Sequence, residues 1–110
     1  GKIMSSELLS LGLLDQQDID QQNPDMPAYK RYFMHGTSHH MGLDTHDYGL
    51  LHLPMQANMV FTVEPGIYIP EEGFGIRLED DVVIQENGAP LNLMGNIPIE
   101  VDEIEALMNA

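Results

Sequence analysis

The sequence contains no cysteine and only four lysine and arginine residues, against eighteen aspartates and glutamates. The absence of cysteine excludes disulfides, thiol nucleophiles and cysteine-ligated zinc, so a metal would have to be held by histidine and carboxylate side chains. The formal net charge of −14 argues against a nucleic-acid partner, because phosphate recognition depends on clustered lysine and arginine. The same excess of negative charge disfavours an anionic membrane surface.

The sequence also lacks a run of 18 apolar residues and the apolar stretch of a signal peptide near its start. We therefore expect a cytoplasmic protein without a membrane partner. A chain of 110 residues has room for a single domain. Because Gly1 is not an initiator methionine, we expect the sequence to be a piece of a longer chain.

The first third of the sequence predicts two helices separated by a loop. Apolar side chains recur at helical spacing over residues 3–14, and Gly12 is placed to end that helix. Residues 15–27 are acidic and interrupted by proline, so we predict a surface loop there. Residues 28–33 predict a short second helix.

Beyond residue 59 the pattern predicts an antiparallel sheet and a closing helix. Alternating β-branched and apolar residues predict strands at residues 60–64, 66–69, 76–78, 82–85 and 91–93. Asn87 and Gly88 predict a two-residue hairpin turn between the last two strands. Residues 101–108 predict a helix with acidic residues near its N-terminus. The expected fold class is therefore α+β.

One predicted strand places a carboxylate on the face opposite its apolar side chains. Because side chains alternate along a strand, Phe61 and Val63 should face the core while Thr62 and Glu64 share the other face. A solvated strand face accounts for most charged residues in such places. A metal site or a buried ion pair is the alternative.

All five histidines lie within residues 35–52, which have neither helical nor strand periodicity and are predicted to be extended or loop-like. Further along the chain, Arg77 and Glu79 share one face of a predicted strand. A single histidine is more often a packed or surface residue than a ligand. Together with Glu64 and Glu79, however, a histidine of this cluster would form a His/Glu/Glu site suited to Mn, Zn, Co or Fe.

Three segments together resemble the C-terminal part of the pita-bread metallopeptidases. They are HGTSHHMGLDTHD at residues 35–47, TVEPGIY at 62–68 and GIRLEDDVVI at 75–84. Within that family they are most similar to the Xaa-Pro aminopeptidases (aminopeptidase P), with prolidase as a near relative. The resemblance covers residues 28–109 and implies the C-terminal half of a pita-bread (creatinase/aminopeptidase-like) fold, an antiparallel sheet with flanking helices.

The resemblance implies a metal site built from three residues of this sequence. His39 corresponds to the single histidine ligand, Glu64 to a ligand that also transfers protons, and Glu79 to a carboxylate that bridges two metal ions. The implied cofactors are two divalent ions, with Mn as the expected metal and Co, Zn or Fe as alternatives.

The remaining implied roles concern the substrate, a peptide with proline at its second position. His35 and His46 correspond to two histidines that contact the scissile peptide and steady the tetrahedral intermediate. Arg77 resembles an arginine that lies behind the ligands and pairs with a metal-binding aspartate. The implied reaction is hydrolysis of the bond that precedes the proline.

Two further ligands of the family, both aspartates on an upstream pair of strands, have no counterpart in this sequence. The aspartates before the histidine segment belong to a stretch interrupted by proline: Asp15, Asp18, Asp20 and Asp25. We therefore expect residues 1–110 to be a single partial domain that holds at most one weakly bound ion and is inactive alone. Uncovered edges and apolar faces would favour a homodimer or strand exchange.

Two alternatives stay open at this point. A prolidase fragment would act on dipeptides. A metal-free pita-bread domain would bind a peptide or a protein and would have no need to keep His39, Glu64 and Glu79 together.

Overall fold

A computed structural model describes all 110 residues, which form two compact units. The first unit comprises residues 1–35 and 66–76, and the second comprises residues 36–65 and 77–110. In chain order the elements are α1 (Lys2–Ser10), α2 (Gln16–Asp20), a 3₁₀ turn (Ala28–Arg31), β1 (Val60–Val63), β2 (Gly66–Ile69), a 3₁₀ turn (Pro70–Glu72), β3 (Phe74–Arg77), β4 (Asp80–Val83), β5 (Leu91–Asn92) and α3 (Val101–Met108). None of the three helices has the length and apolar composition that a membrane span requires.

The core of the first unit forms around Leu8, the one buried residue of α1. Leu8 is fully buried and packs with Leu14 and Tyr32, with Ile67 and Ile69 among the partly buried residues around them. Both isoleucines belong to β2, which pairs with β3 in a two-stranded sheet.

The first helix ends earlier than its apolar pattern predicts. It stops at Ser10, and Gly12 then adopts a left-handed φ of 74°. The backbone N–H of Leu13 turns back to donate to the carbonyl of Leu8 at 3.0 Å. Glycine adopts this conformation without steric cost. Gly12 therefore ends the helix as predicted, although it lies two residues beyond Ser10, the last helical residue.

The acidic stretch 15–27, predicted as a loop, contains the short helix α2. A reciprocal capping box begins it: the Asp15 carboxylate accepts from the Asp18 N–H at 2.8 Å, and the Asp18 carboxylate accepts from the Asp15 N–H at 3.1 Å. The prediction was wrong here because the usual box has a glutamate or glutamine at its third helical residue, and this one has aspartate. The short second helix predicted at residues 28–33 is present as a 3₁₀ helix over residues 28–31.

The sheet of the second unit places β4 between β1 and β5, in the order β1-β4-β5, with both pairs antiparallel. The register sets Thr62 opposite Asp81 and Val63 opposite Asp80. The prediction of strands in this region and of α3 at residues 101–108 is confirmed.

Residues 37–41 run along the free edge of β1 and extend this sheet. Three backbone hydrogen bonds hold them: Glu64 N–H to Thr37 O at 2.7 Å, Thr62 N–H to His39 O at 3.0 Å and Met41 N–H to Val60 O at 3.1 Å. We call residues 37–41 the edge segment. It is extended, as predicted, and it lies where a further strand would lie.

Two details of the predicted sheet are wrong. Residues 84–90 connect β4 to β5, so Asn87 and Gly88 do not form a two-residue turn, and β5 is only two residues long. Phe61 is buried as expected, but Val63 is 38% exposed. Val63 is the last residue of β1.

The capping box of α2 generates a prediction about acid stability. The pKa of Asp18 is lowered by the hydrogen bond from the Asp15 backbone and by the Arg31 guanidinium, whose Nη2 lies 3.0 Å from Asp18 Oδ1. A lowered pKa means that this carboxylate stabilises the fold above about pH 3.9, the ordinary aspartate value, and that the contribution disappears as pH falls through the folded-state pKa.

We expect the free energy of unfolding, measured with urea, to fall between pH 6 and pH 2.5 by less in Asp18→Asn than in the unsubstituted chain. Asp25→Asn, which removes an aspartate outside the capping box, is the matched control. An equal fall in both variants would contradict the assignment.

Candidate metal centre

Three side chains of the second unit converge on one point. His39, Glu64 and Glu79 each offer one ligand atom, and these atoms lie within 4.8 Å of one another. No aspartate belongs to this group. His39 lies on the edge segment, Glu64 follows β1, and Glu79 immediately precedes β4. The antiparallel register of β1 and β4 therefore brings both glutamates to the same end of the sheet.

The orientation of the His39 ring fits a cation. Its Nδ1 lies 2.9 Å from the His40 carbonyl oxygen, which can only accept, so Nδ1 carries the hydrogen. Nε2 then faces Glu64 Oε1, 3.2 Å away. Two such atoms attract each other only with a proton or a metal ion between them. The donor set of one imidazole and two carboxylates suits divalent ions such as Mn, Zn, Co and Fe.

Arg77 lies between the two glutamates. Its Nη1 is 3.3 Å from Glu64 Oε2, and its Nη2 is 3.7 Å from Glu79 Oε2. The guanidinium offsets part of the repulsion between the two carboxylates and limits the directions in which they can turn. In this structure its partners are thus the glutamates themselves.

His46 reaches the same region from a short loop. Its ring centroid lies 4.3 Å from that of His39, with the planes tilted by 43°. The neighbouring Asp47 carboxylate holds this loop, because it accepts from the N–H of Leu43 at 2.9 Å and from the N–H of Tyr48 at 2.8 Å. No role was predicted for Asp47, although an aspartate between glycines in a loop commonly binds backbone N–H groups.

Of the sequence-predicted residues, the second unit thus brings together His39, His46, Glu64, Arg77 and Glu79. His35 belongs to the first unit, where its Nε2 lies 2.9 Å from the Tyr68 hydroxyl and its ring makes edge contacts with Phe33 and Tyr68. His40, to which the sequence gave no role, packs its ring 4.3 Å from that of Phe61.

The candidate site therefore has the mixed histidine–carboxylate donor set that suits divalent transition-metal ions. A profile of metallopeptidase family M24 matches residues 9–86, which is well over half of the chain. The chain belongs to metallopeptidase family M24.

Similar proteins agree with this assignment. The Xaa-Pro aminopeptidase of Escherichia coli is 44% identical over 99% of this chain and 27% of its own length. Human Xaa-Pro aminopeptidase 3 is 36% identical over 96% of this chain and 22% of its own length. The structure of Pseudomonas aeruginosa aminopeptidase PepP matches 96% of this chain and 26% of that protein, with a TM-score of 0.81 and 39% identity.

The chain thus spans about a quarter of the length of the relatives that it matches. The likeness to aminopeptidase P structures confirms the predicted fold class, an α+β fold with antiparallel strands and flanking helices. The resemblance to the Xaa-Pro aminopeptidases is likewise confirmed.

The loop that carries His46 generates a prediction about Gly42. A Cβ atom on Gly42 would lie 2.0 Å from Asp47 Oδ2, so alanine there must displace the carboxylate from the Leu43 N–H. Loss of such a charge-assisted hydrogen bond costs about 1–3 kcal/mol. We expect amide hydrogen exchange of Leu43 to accelerate about tenfold in Gly42→Ala.

The control is Gly36→Ala in the same stretch of chain, because a Cβ atom on Gly36 would meet nothing within 4 Å. It should leave the Leu43 amide unchanged. Equal exchange rates in Gly42→Ala and the unsubstituted chain would show that Asp47 does not hold the loop.

Proposed function

We propose that this sequence belongs to a metal-dependent exopeptidase that releases the N-terminal residue from peptides with proline at the second position. The observation that carries the proposal is the convergence of His39, Glu64 and Glu79 within 4.8 Å, in a chain of metallopeptidase family M24. The relatives named above support the Xaa-Pro aminopeptidase activity over that of a prolidase. Retention of all three candidate ligands supports an enzyme over a metal-free binding module.

In this proposal His39 binds through Nε2, and Glu64 and Glu79 bind through carboxylate oxygens, with Mn as the expected metal and Co, Zn or Fe as alternatives. When bound, divalent ions polarise the scissile carbonyl and make a water nucleophilic at neutral pH. Glu64 accepts the proton of the attacking water at a carboxylate oxygen and passes it to the leaving amine. Arg77 contacts both glutamates and limits the directions in which their carboxylates can turn.

His35 and His46 contact the substrate in this proposal. A ring N–H of His46 donates to the oxygen of the scissile carbonyl or to the neighbouring peptide group, which stabilises the charge that develops there. The loop held by Asp47 sets the position of His46.

We further propose that residues 1–110 are one part, the C-terminal part, of a catalytic domain, and that the cytoplasm is its compartment. The chain would supply three of the five ligands that the family resemblance implies. Alone, it would hold at most one ion, weakly, and would be inactive. Exposed apolar side chains of α3, among them Leu107 and Met108, would favour a homodimer or strand exchange of the isolated chain.

The test replaces the matching quarter of the Escherichia coli Xaa-Pro aminopeptidase by residues 1–110. We expect the folded chimera to hydrolyse an Xaa-Pro-Pro tripeptide with added Mn²⁺ and to prefer it to an Xaa-Pro dipeptide, whereas the isolated chain gives no turnover. Glu79→Gln in the chimera should lower kcat/KM about a hundredfold or more, because it removes a metal ligand.

Glu71→Gln, which neutralises an exposed glutamate of the first unit, is the control and should leave kcat/KM unchanged. Turnover by the isolated chain would overturn the proposal that ligands are missing. An unaltered kcat/KM in Glu79→Gln would overturn the role of Glu79, and preference for the dipeptide would favour a prolidase.

A further inference from the structure

Thr62 is the only buried polar residue of the chain, with an exposure of 1%. Its hydroxyl oxygen accepts a hydrogen bond from the His39 N–H at 3.1 Å and donates one to Glu64 Oε1 at 3.3 Å. The hydroxyl therefore joins two of the three candidate ligands by direct contacts. It is not itself a member of the candidate ligand group.

Both backbone groups of His39, its N–H and its carbonyl, are hydrogen-bonded to Thr62. The Thr62 N–H donates to the His39 carbonyl at 3.0 Å, while the His39 N–H donates to the Thr62 hydroxyl. The hydrogen bond between His39 Nδ1 and the His40 carbonyl then fixes the ring on this backbone. The position of Nε2 consequently depends on β1 through Thr62.

The contact with Glu64 selects one carboxylate oxygen. Glu64 Oε1, which accepts from the Thr62 hydroxyl, is also the oxygen 3.2 Å from His39 Nε2. Asp81 lies opposite Thr62 in the sheet, and its Oδ1 is buried without a hydrogen-bond partner. A hydroxyl has one hydrogen to donate, and here Glu64 receives it.

We propose that Thr62 is a positioning residue of the metal site: its hydroxyl fixes the His39 backbone and Glu64 Oε1 at the separation at which both bind one divalent cation. Removal of a group that is hydrogen-bonded to a metal ligand and orients it typically lowers metal affinity about 10- to 100-fold. This inference rests on the proposed function for the identity of the ligands. The hydrogen bonds themselves do not depend on it.

The test compares Thr62→Val, which replaces the hydroxyl by a methyl group, with Thr62→Ser, which keeps the hydroxyl. Mn²⁺ affinity of the 110-residue chain is measured by electron paramagnetic resonance, and exchange of the His39 amide hydrogen is measured without metal. We expect Thr62→Val to lose about tenfold or more in Mn²⁺ affinity and to exchange the His39 amide faster. Thr62→Ser should restore both, and Thr45→Val, at an exposed threonine, should change neither.

Unchanged Mn²⁺ affinity in Thr62→Val would overturn the proposal, as would failure of Thr62→Ser to restore it. If the unsubstituted chain binds no Mn²⁺, the proposed metal site fails, and the His39 amide then decides whether Thr62 still positions that residue. If circular dichroism shows that Thr62→Val is unfolded, Thr62→Ala replaces it in the same comparison. Lower Mn²⁺ affinity in Thr62→Ala would then support the proposal, and unchanged affinity would overturn it.

Discussion

The candidate site depends on the backbone pairing of the edge segment with β1. Those hydrogen bonds carry His39 to the side of Glu64, and the shortest of them, at 2.7 Å, joins the Glu64 N–H to Thr37. Backbone pairing is indifferent to the charge of the side chains that it brings together. It can therefore hold His39 Nε2 3.2 Å from Glu64 Oε1, a separation that suits a proton or a metal ion between the two atoms. The pairing of β1 with β4 adds Glu79 in the same way.

The electrostatics of the site follow from this arrangement. Two carboxylates are held close together, and a single guanidinium, Arg77, touches both. Arg77 is 46% exposed, so water screens part of its charge. One guanidinium thus faces two carboxylates, and a divalent cation would be a partner for all three candidate ligand atoms at once. The large net negative charge of the chain strengthens that preference.

Sequence reasoning worked best where one local rule decides the structure. The α3 helix and the alternation that sets Thr62 and Glu64 on one face of β1 follow from side-chain periodicity alone. Prediction from the sequence failed where contacts between distant residues, or a reciprocal pair of hydrogen bonds, determine the structure. The α2 helix depends on the capping pair Asp15 and Asp18, which is not recognisable within an acidic stretch interrupted by proline. The length of β5 is set by its pairing with β4. The hydrogen bond between Thr62 and His39 was not predicted, because it depends on the pairing of the edge segment with β1, which sequence spacing does not encode.

The most direct measurement is a calorimetric titration of the 110-residue chain with Mn²⁺, set beside the same titration of Glu79→Gln and Glu71→Gln. Both substitutions remove one negative charge, so general attraction of cations to an acidic chain affects them equally. The account predicts weak binding of at most one ion per chain, lost in Glu79→Gln and kept in Glu71→Gln. Equal binding by the two variants would contradict the central claim that His39, Glu64 and Glu79 form a metal site.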